Sequence, residues 1–458
     1  MIGNTPMLEL SRIDRGPAGC RLLVKMESMN PGNSIKDRIA LSMIDQAERD
    51  GRLVPGDPKR SHIIEATAGN TGIALALVAG QKGYRLTVVM PDKMSAEKIS
   101  HLRAMGAEVV LTRSDVEKGH PEYYQDMAER LARESGGFYV NQFGNAANPR
   151  AHRETTGPEI LGQCQAIGVK SIDAFVAGVG SGGTVTGTAT FLKQHFPQMA
   201  MVLADPAGSI LAPLVNCGEK IKPGSWLVEG MGEDFVPDIL DLKLVDCGYT
   251  IPDSESFHVA RELLMKEGIL VGSSTGCILA AALRYCREQK QAKTVVSIVA
   301  DNGAKYLSKM FNDFWMMDNG FLERESFGDL RDLIARRHLS REDFTLKPAT
   351  PVSQAVKQMR LYDVSQMAVV DERDKVIGIL DESDILLALT HASEPNLARP
   401  VSDFMTSRLE TVKPTASMND LLPIFRADRV AIVADDTHFY GLITKIDLIN
   451  YLRKRMIR

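Results

Sequence analysis

The sequence lacks the features that mark several common protein classes. No apolar run reaches the roughly 18 residues of a membrane-spanning helix, and no basic start with an apolar segment marks a signal peptide. The six cysteines include no CxxC pair and the nine histidines no ligand spacing, which argues against disulfide frameworks and metal sites. Lys and Arg total 54 against 58 Asp and Glu, too balanced for nucleic-acid or membrane-surface binding. We therefore expect a cytoplasmic protein that acts on small molecules.

The sequence does contain a long alternation of short apolar runs and helical patterns. From residue 21 to about 302, runs such as RLLVKM, SHIIEA, FYVNQ, ILVGSS and TVVSIVAD are separated by amphipathic segments. This alternation predicts an α/β fold with mainly parallel, helix-covered sheets, in which ligands bind at the carboxyl ends of strands. A chain of 458 residues with 44% hydrophobic residues is long enough for two or more domains.

The last part of the chain contains an internal repeat. SQMAVVDERDKVIGILDESDIL aligns without a gap to DRVAIVADDTHFYGLITKIDLI, so that Gly378 matches Gly441 and Asp384 matches Asp447. A charged segment with few apolar residues, 323–343, comes before the repeat, and we interpret it as a partly helical linker. After a first domain of residues 1–322, we expect a module at 344–458 whose βαββα-like units, about 344–394 and 401–456, pack against each other.

A lysine stands in the first turn of a predicted helix, where the helix dipole disfavours a cation. Lys36 belongs to the motif NSIKDR at 33–38, and Ile39, Met43 and Ile44 mark the inward face of that helix. A solvated surface lysine is the ordinary explanation for such a residue. The alternative is that Lys36 belongs to a site that other parts of the chain complete.

Three small-residue turns follow predicted strands and open predicted helices. TAGNTG at 67–72 offers backbone N–H groups to a carboxylate, GVGSGGT at 178–184 offers a phosphate cradle, and GSSTGC at 272–277 offers hydroxyls to a ring atom. Each is also typical of a structural turn or helix cap, and the second is neither a dinucleotide fingerprint nor a P-loop. Combined with one lysine, they provide the amine, phosphate anchor and carboxylate site that pyridoxal phosphate chemistry requires.

On these motifs, the chain resembles the fold-type II pyridoxal-phosphate enzymes, and within them the cystathionine β-synthases. The resemblance covers residue 2 to about 322 and about 345–458, through IGNTPM, NSIKDR, TAGNTG, GVGSGGT, VEGMGEDFVP and KMFNDFWMMDNGFL. It implies two helix-covered, mainly parallel sheets followed by a tandem CBS module, and a homodimer or higher homo-oligomer. It implies no haem, since the family core begins at residue 2.

The resemblance also implies roles for individual residues. Lys36 would hold pyridoxal 5'-phosphate covalently and act as the catalytic base, while Asn70 and Ser274 would contact the cofactor ring. The cofactor phosphate would be bound by Gly180, Ser181, Gly182, Gly183 and Thr184. The amino-acid substrates would be bound by Thr67, Ala68, Gly69, Thr71, Gln142, Glu229 and Gly230.

The implied activity is the β-replacement step of transsulfuration, in which L-serine and L-homocysteine give L-cystathionine and water, with hydrogen sulfide production from cysteine as a further activity. Ala68 stands where the family usually has serine and Phe143 where relatives often have tyrosine, so O-acetylserine stays open as the donor. Cysteine synthase is a second alternative, although Glu229 is typical of cystathionine β-synthases. A nucleotide-sensing protein with an inactive catalytic half is a third.

In the tail, the resemblance implies a nucleotide-type site on the repeats. Thr444 and Asp447 occupy the positions whose hydroxyl and carboxylate bind a ribose in this family. The corresponding positions of the first repeat are Asp381 and Asp384. The added carboxylate of Asp381 would repel a phosphate, which favours S-adenosylmethionine or an adenosine-type effector over a polyphosphate. A packing and dimerisation module without a ligand is the open alternative.

Overall fold

The computed structural model describes residues 1–67, 69–92, 94, 96–116, 119–390 and 397–457. The chain divides into two compact units, Met1–Phe321 and Leu322–Arg458. Among the described residues, no helix has both the length and the apolar composition that crossing a bilayer requires.

The first unit contains two sheets of mainly parallel strands. The larger sheet has the order β1-β2-β10-β7-β8-β9 and is parallel except for the antiparallel pair β1 and β2, and the smaller one, β5-β4-β3-β6, is parallel throughout. The strands are β1 (Met7–Leu10), β2 (Arg21–Met26), β3 (His62–Ala66), β4 (Arg85–Pro91), β5 (Glu108–Thr112), β6 (Phe138–Tyr139), β7 (Ala174–Gly178), β8 (Ala200–Pro206), β9 (Cys247–Ile251) and β10 (Thr294–Val299).

Helices connect the strands of both sheets. They are α1 (Lys36–Arg49), α2 (Asn70–Lys82), α3 (Ala96–Ala104), α4 (Tyr124–Ser135), α5 (Ala147–Ala151), α6 (Gly157–Ala166), α7 (Gly183–His195), α8 (Leu211–Cys217), α9 (Asp253–Glu267), α10 (Ser273–Glu288) and α11 (Asp313–Asp318). A π-helical turn, His152–Thr156, joins α5 to α6, and short 3-10 turns occur at Glu27–Met29, Leu242–Leu244 and Gly303–Tyr306.

Apolar periodicity accounts for how these elements pack. The predicted inward residues of α1, Ile39, Met43 and Ile44, are buried in one core together with residues of β3, β4 and α2. Strand β3 is buried along its whole length, as expected for a parallel strand that is covered on both faces. This packing brings the first turns of α1 and α2 close to the ends of the strands.

Two predicted strands differ in the structure. FYVNQ forms a strand only at Phe138–Tyr139, and Asn141 soon afterwards turns the chain with a φ of 52°. The ILV run forms only an isolated bridge at Val271, because three residues between α9 with its capping Gly268 and Gly272 leave no room for a strand. The turn at 272–277 therefore follows a bridge, not a strand. Strands β1 and β9 were not predicted, since neither has a clear run of β-branched residues.

The second unit has the predicted pair of βαββα-like repeats. Its sheets have the orders β11-β12-β13 and β14-β15-β16. The first repeat comprises β11 (Thr345–Leu346), α12 (Val352–Tyr362), β12 (Gln366–Val370), β13 (Val376–Asp381) and α13 (Glu382–Thr390). The second comprises β14 (Thr411–Val412), α14 (Leu421–Arg426), β15 (Ala431–Ala434), β16 (Phe439–Ile443) and α15 (Lys445–Ile457).

The repeats pack against each other through a shared apolar cluster. Val370 and Val376 of the first repeat meet Ile432 and Phe439 of the second. The segment 323–343, which the sequence predicts as a linker, contains short 3-10 structure at Leu330–Asp332 and contributes apolar residues to the core of the second repeat. These residues are Leu330, Leu333 and Ile334.

Candidate active site

A cavity of about 430 Å³ in the first unit collects most of the predicted site residues. Loops that follow β3 and β7, one strand from each sheet, contribute to its lining, as does the first turn of α10. The predicted residues on the lining are Lys36, Thr67, Gly69, Asn70, Thr71, Gln142, Gly180, Ser181, Gly182, Thr184, Glu229, Gly230 and Ser274. Gly183 is not part of the lining, and Ala68 lies outside the described residues. The fold thus joins motifs that lie between residues 36 and 274 of the chain.

Lys36 is the first residue of α1 and faces this cavity. Within the described part of the chain, its ammonium group makes no hydrogen bond. Burial lowers the pKa of Lys36, and only the carboxylate of Asp301 opposes this effect. The positive end of the helix dipole also disfavours a cation here. Lys36 is therefore an amine that loses its proton readily, which is the property a nucleophile or a base needs.

The glycine loop before α7 is shaped to hold an anion. Gly182 has a φ of 90°, and α7 begins at the next residue with its backbone N–H groups unpaired by earlier turns. A Cβ at Gly180 would lie 2.7 Å from the backbone oxygen of Gly230, and one at Gly183 would lie 1.9 Å from Asn148 Oδ1. Only glycine permits this close approach. The loop and its hydroxyls fit the phosphate of pyridoxal phosphate.

Two side chains that the sequence did not indicate hold the hydroxyls of this loop. Asn148 Nδ2 donates to Ser181 Oγ at 2.9 Å, and His152 Nε2 lies 3.2 Å from Thr184 Oγ1. Burial, together with the charges of Arg38 and Lys36, holds the pKa of His152 well below its usual range, so the ring is neutral. The histidines lack metal-ligand spacing, and no sequence signal links His152 to Thr184.

The loop after β3 is tied to Gln142. Thr71 Oγ1 donates to Gln142 Oε1 at 2.7 Å, and Gln142 Nε2 donates to the backbone oxygen of Ala66 at 3.4 Å. Gly69 has a φ of 146°, and its N–H donates to Thr67 Oγ1 at 3.2 Å. The N-terminus of α2 and the polar groups of Thr67, Thr71 and Gln142 thus surround one small volume that suits a carboxylate.

Glu229 lies between two lysines that the sequence did not indicate. Its carboxylate contacts Lys98 Nζ at 2.5 Å and Lys309 Nζ at 2.7 Å. Burial alone would raise the pKa of Glu229, but the two ammonium groups outweigh burial and lower it. Its N–H donates to Ser273 Oγ at 3.0 Å, which connects this wall of the cavity to the first turn of α10, where the buried Ser274 follows.

Asn70 belongs to a second unpredicted group of buried polar residues. Asn70 Nδ2 donates to Asp301 Oδ2 at 2.8 Å, and Lys305 Nζ donates to Asn70 Oδ1 at 2.8 Å. Tyr306 also donates to Asp301 Oδ2, at 2.7 Å. Asp301, Lys305 and Tyr306 follow β10 of the larger sheet, and they hold a side chain at the start of α2, the helix that follows β3 of the smaller sheet.

The four candidate ligand residues of the second unit cap helices. Asp447 Oδ2 accepts from the backbone N–H of Thr444 at 2.7 Å and from its hydroxyl at 2.6 Å, at the start of α15. In the first repeat, Asp381 and Asp384 each accept from the backbone N–H of the other, at 2.9 and 3.1 Å. Burial and the neighbouring Asp381 raise the pKa of Asp384.

Comparison with known families gives a consistent picture. The chain matches the family described as pyridoxal-phosphate dependent enzyme over residues 1–301 and the CBS domain family over residues 331–391 and 401–454. A cystathionine beta-synthase from Oryctolagus cuniculus is 36% identical over 479 aligned residues, covering 99% of this chain and 84% of the relative. One from Saccharomyces cerevisiae is 33% identical over 502 aligned residues, covering 99% of this chain and 97% of the relative.

Two solved structures resemble the first unit in fold and sequence. A hydrogen sulfide-producing enzyme from Fusobacterium nucleatum is 39% identical with a TM-score of 0.59, covering 67% of this chain and 97% of its own. O-ureido-L-serine synthase is 35% identical with a TM-score of 0.62, covering 71% of this chain and 95% of its own.

Proposed function

Because the chain belongs to the cystathionine β-synthase family of pyridoxal-phosphate-dependent enzymes, we propose that it condenses L-serine with L-homocysteine to give L-cystathionine and water. The observation that carries this proposal is the meeting of three groups in one cavity. These are the amine of Lys36 with its lowered pKa, a polar loop that suits a carboxylate and a glycine loop that suits a phosphate. The polar loop lines the cavity with Thr67, Gly69, Asn70 and Thr71, and the glycine loop with Gly180, Ser181, Gly182 and Thr184. A β-replacement on an amino acid needs all three at once.

The protein residues have separate tasks in this reaction. Pyridoxal phosphate, when bound, supplies the electron sink that stabilises negative charge at the substrate Cα. Lys36 holds the cofactor and moves the Cα proton, and the loop at 180–184 holds the phosphate. Ser274, with a neutral hydroxyl, binds the ring nitrogen, and Asn70 binds a ring oxygen.

The substrates are held by the opposite wall of the cavity. Thr67, Thr71 and Gln142 bind the α-carboxylate of serine, supported by the hydrogen bond between Thr71 and Gln142. Glu229 and Gly230 shape the pocket for homocysteine, whose thiol replaces the serine hydroxyl at Cβ. The departing hydroxyl takes up a proton and leaves as water, so that atoms and charge balance.

O-acetylserine as the donor and cysteine synthase activity are the competing activities, whereas hydrogen sulfide production from cysteine is a further activity of the proposed enzyme. Ala68 supports the first of them, because it removes a hydroxyl that serine at this position would provide. The two solved relatives, by their names, show that this fold accommodates related reactions.

The deciding experiment compares donors on the purified holoenzyme. We expect cystathionine from homocysteine with serine, at a kcat/KM above that with O-acetylserine, and slower sulfide release from cysteine alone. Cystathionine formation from O-acetylserine only would establish the competing donor. No thioether product with either donor, in a protein that binds the cofactor, would contradict the proposal.

For the second unit we propose an adenosine-type effector, such as S-adenosylmethionine. The carboxylate that Asp381 adds to the first repeat supports a ligand without phosphates. In calorimetric titrations, we expect the affinity for S-adenosylmethionine or adenosine to be higher than the affinity for ATP. In the variant Asp381→Thr, the affinity for ATP should rise relative to adenosine, and an unchanged ratio would contradict the role of Asp381.

We also propose a cytoplasmic homodimer or higher homo-oligomer. The six cysteines are scattered along the sequence without a CxxC pair, a pattern that supports a reducing compartment. Analytical ultracentrifugation of the full chain tests the oligomeric state, and a monomer at micromolar concentration would contradict it.

A further inference from the structure

The carboxamide of Asn70 is held at both ends by groups of fixed hydrogen-bonding character. A carboxylate only accepts hydrogen bonds and an ammonium group only donates them. Asp301 therefore contacts the amide nitrogen and Lys305 the amide oxygen, each at 2.8 Å. The reversed orientation would place an oxygen against a carboxylate and an N–H against an ammonium group. The two partners thus determine which way this amide points.

The partners are themselves held rigidly. Asp301 has no exposed surface, accepts from the Tyr306 hydroxyl at 2.7 Å and lies so close to Gly272 that a Cβ there would be 1.9 Å from Asp301 Oδ1. Lys305 is 7% exposed and donates a further hydrogen bond to the backbone oxygen of Gly32 at 3.3 Å. Neither side chain can turn away without taking these hydrogen bonds from a buried charged group, which is costly.

Beyond these two hydrogen bonds, the Asn70 carboxamide has one N–H and one lone pair of its oxygen left. A primary amide has two N–H donors, and Asp301 uses one of them. Asn70 lines the cavity, whereas Asp301 and Lys305 do not. Asn70 therefore meets a ligand in the cavity with its carboxamide in the one orientation that Asp301 and Lys305 permit.

We propose that Asp301 and Lys305 are positioning residues that hold the Asn70 carboxamide in the orientation that offers its second N–H to the cavity. This inference rests on the proposed function for the identity of the acceptor, which is an oxygen on the ring of bound pyridoxal phosphate.

Three variants of the full chain separate these roles. Asp301→Asn replaces the obligatory acceptor with a group that accepts either amide orientation, and Lys305→Met removes the obligatory donor at similar length. The double variant Asn70→Asp with Asp301→Asn keeps both hydrogen bonds, because the new carboxylate accepts from Lys305 and from the new amide, but it has no N–H for the cavity. The matched control is Asp313→Asn, the same change at an exposed carboxylate outside the cavity.

Cofactor-free protein is titrated with pyridoxal phosphate, and its affinity, the ratio of the bound cofactor's absorption bands and the Tm before titration are measured. Loss of one oriented hydrogen bond should weaken cofactor binding roughly 3- to 10-fold in each single variant and change the band ratio. The double variant should have a Tm closer to wild type than Asp301→Asn has, while its cofactor affinity stays low. The control should match wild type in cofactor affinity and band ratio, and any change in its Tm reports only the loss of its contact with Arg261.

Wild-type affinity and an unchanged band ratio in both single variants would overturn the inference, as would wild-type cofactor binding by the double variant. A lowered Tm with unchanged cofactor affinity and an unchanged absorption spectrum would show that Asp301 and Lys305 have only a structural role. That result would also overturn the inference. If Asp301→Asn does not fold, the cofactor affinities of Lys305→Met and of the double variant still test the inference. No serine or homocysteine enters these measurements, so a wild type that binds cofactor but forms no cystathionine contradicts only the proposed function.

Discussion

At the scale of the residue, burial decides the protonation state of the groups around the cavity. It lowers the pKa of Lys36 and of His152, and it raises the pKa of Glu65 to about 8 and of Asp37 to about 6. In each case a low-dielectric surrounding favours the neutral form. A lysine or glutamate that is charged at the surface therefore looks identical in the sequence to one that is buried and neutral. Only the fold shows which of the two protonation states it has.

Replacement of Lys36 tests the catalytic role directly. We expect Lys36→Ala to lower kcat/KM for cystathionine synthesis by at least about 10²- to 10⁴-fold, because it removes the group that transfers the proton. Borohydride reduction followed by mass spectrometry should find the cofactor attached to Lys36 in wild type and absent from this peptide in the variant. Lys59→Ala, at an exposed site, is the control and should keep full activity. Retention of activity by Lys36→Ala would refute the assignment.

Glu65 should make stability depend on pH. This carboxyl on β3 has no exposed surface, and burial raises its pKa from an ordinary 4.5 to about 8, although the backbone N–H groups of Ala66 and Gln142 oppose the shift. A group whose pKa is higher in the folded state stabilises the protein fully below the unfolded value and loses that contribution as the pH rises through the folded value. The stabilisation should therefore decline between about pH 4.5 and 8.

The measurement compares the Tm of wild type and Glu65→Gln across that range. The Tm of wild type minus that of the variant should decrease steadily from pH 5 to pH 8, since the amide does not titrate and other groups cancel in the difference. A difference that stays constant from pH 5 to pH 8 would mean that Glu65 is already ionised in the folded state and would contradict the raised pKa.

At the scale of the element, a buried ion cluster joins three secondary-structure elements of the first unit. Arg38 of α1 contacts Glu27, directly after β2, and Glu159 of α6, each at 2.7 Å, and Lys25 of β2 also contacts Glu159 at 2.7 Å. Burial raises the pKa of Glu159, but Arg38 and Lys25 outweigh it and lower the pKa to about 2. The cluster fixes the start of α1, and therefore Lys36, relative to the larger sheet.

Arg38→Met should destabilise the protein by about 3–5 kcal/mol, because it leaves the fully buried Glu27 without its cation. The midpoint of urea unfolding, followed by circular dichroism, gives this value. Arg49→Ala, at the exposed end of the same helix, should change stability by no more than about 0.5 kcal/mol. Equal effects of the two substitutions would contradict the importance of the cluster.

Two glycine substitutions should separate close packing from helix propensity. In Gly183→Ala the new methyl would lie 1.9 Å from Asn148 Oδ1 at the start of α7, so the loop must shift, costing about 1–3 kcal/mol and weakening cofactor binding. In Gly162→Ala, within α6, the methyl meets nothing within 4 Å, and alanine should stabilise the helix by about 0.5–1 kcal/mol. Thermal unfolding and cofactor titration check both, and unaltered cofactor affinity in Gly183→Ala would contradict the cradle.

At the scale of the whole molecule, the two units have separate cores, and the cavity is lined entirely from the first. Its lining ends at Lys309, and Phe321 packs 5.1 Å from the ring of Phe257 at the end of the first unit. The segment 322–343 belongs to the second unit, with Leu330, Leu333 and Ile334 in its core. The assignment of residues 1–322 as catalytic and 344–458 as regulatory is therefore a proposal that truncation can test.

A chain ending at residue 321 should keep cystathionine synthesis and stay monodisperse. A chain ending at 343 should aggregate, because it retains three apolar residues whose packing partners have been removed. Size-exclusion chromatography with light scattering, together with the activity assay, compares the two. Better behaviour of the longer truncation would indicate that 323–343 is a free linker after all.

The features of the fold and site that can be predicted from the sequence are those that local residue patterns determine. The strands RLLVKM and RLTVVMP, the start of α1 at Lys36 and the paired repeats follow from apolar periodicity and self-similarity. Local patterns did not predict strand β1, because pairing at a sheet edge decides such a short segment. They wrongly predicted a strand at the ILV run, because the spacing between two helices decides its structure.

The sequence by itself determined the inventory of the site: one lysine at a helix start and loops whose glycines are needed for positive φ and close approach. Only the tertiary structure decided which buried partners control them, as with Asp301, which lies 231 positions from the Asn70 it orients, and His152, which contacts Thr184. The physical reason is that local backbone preferences act between neighbours in the chain, whereas burial and charge pairing act between neighbours in space.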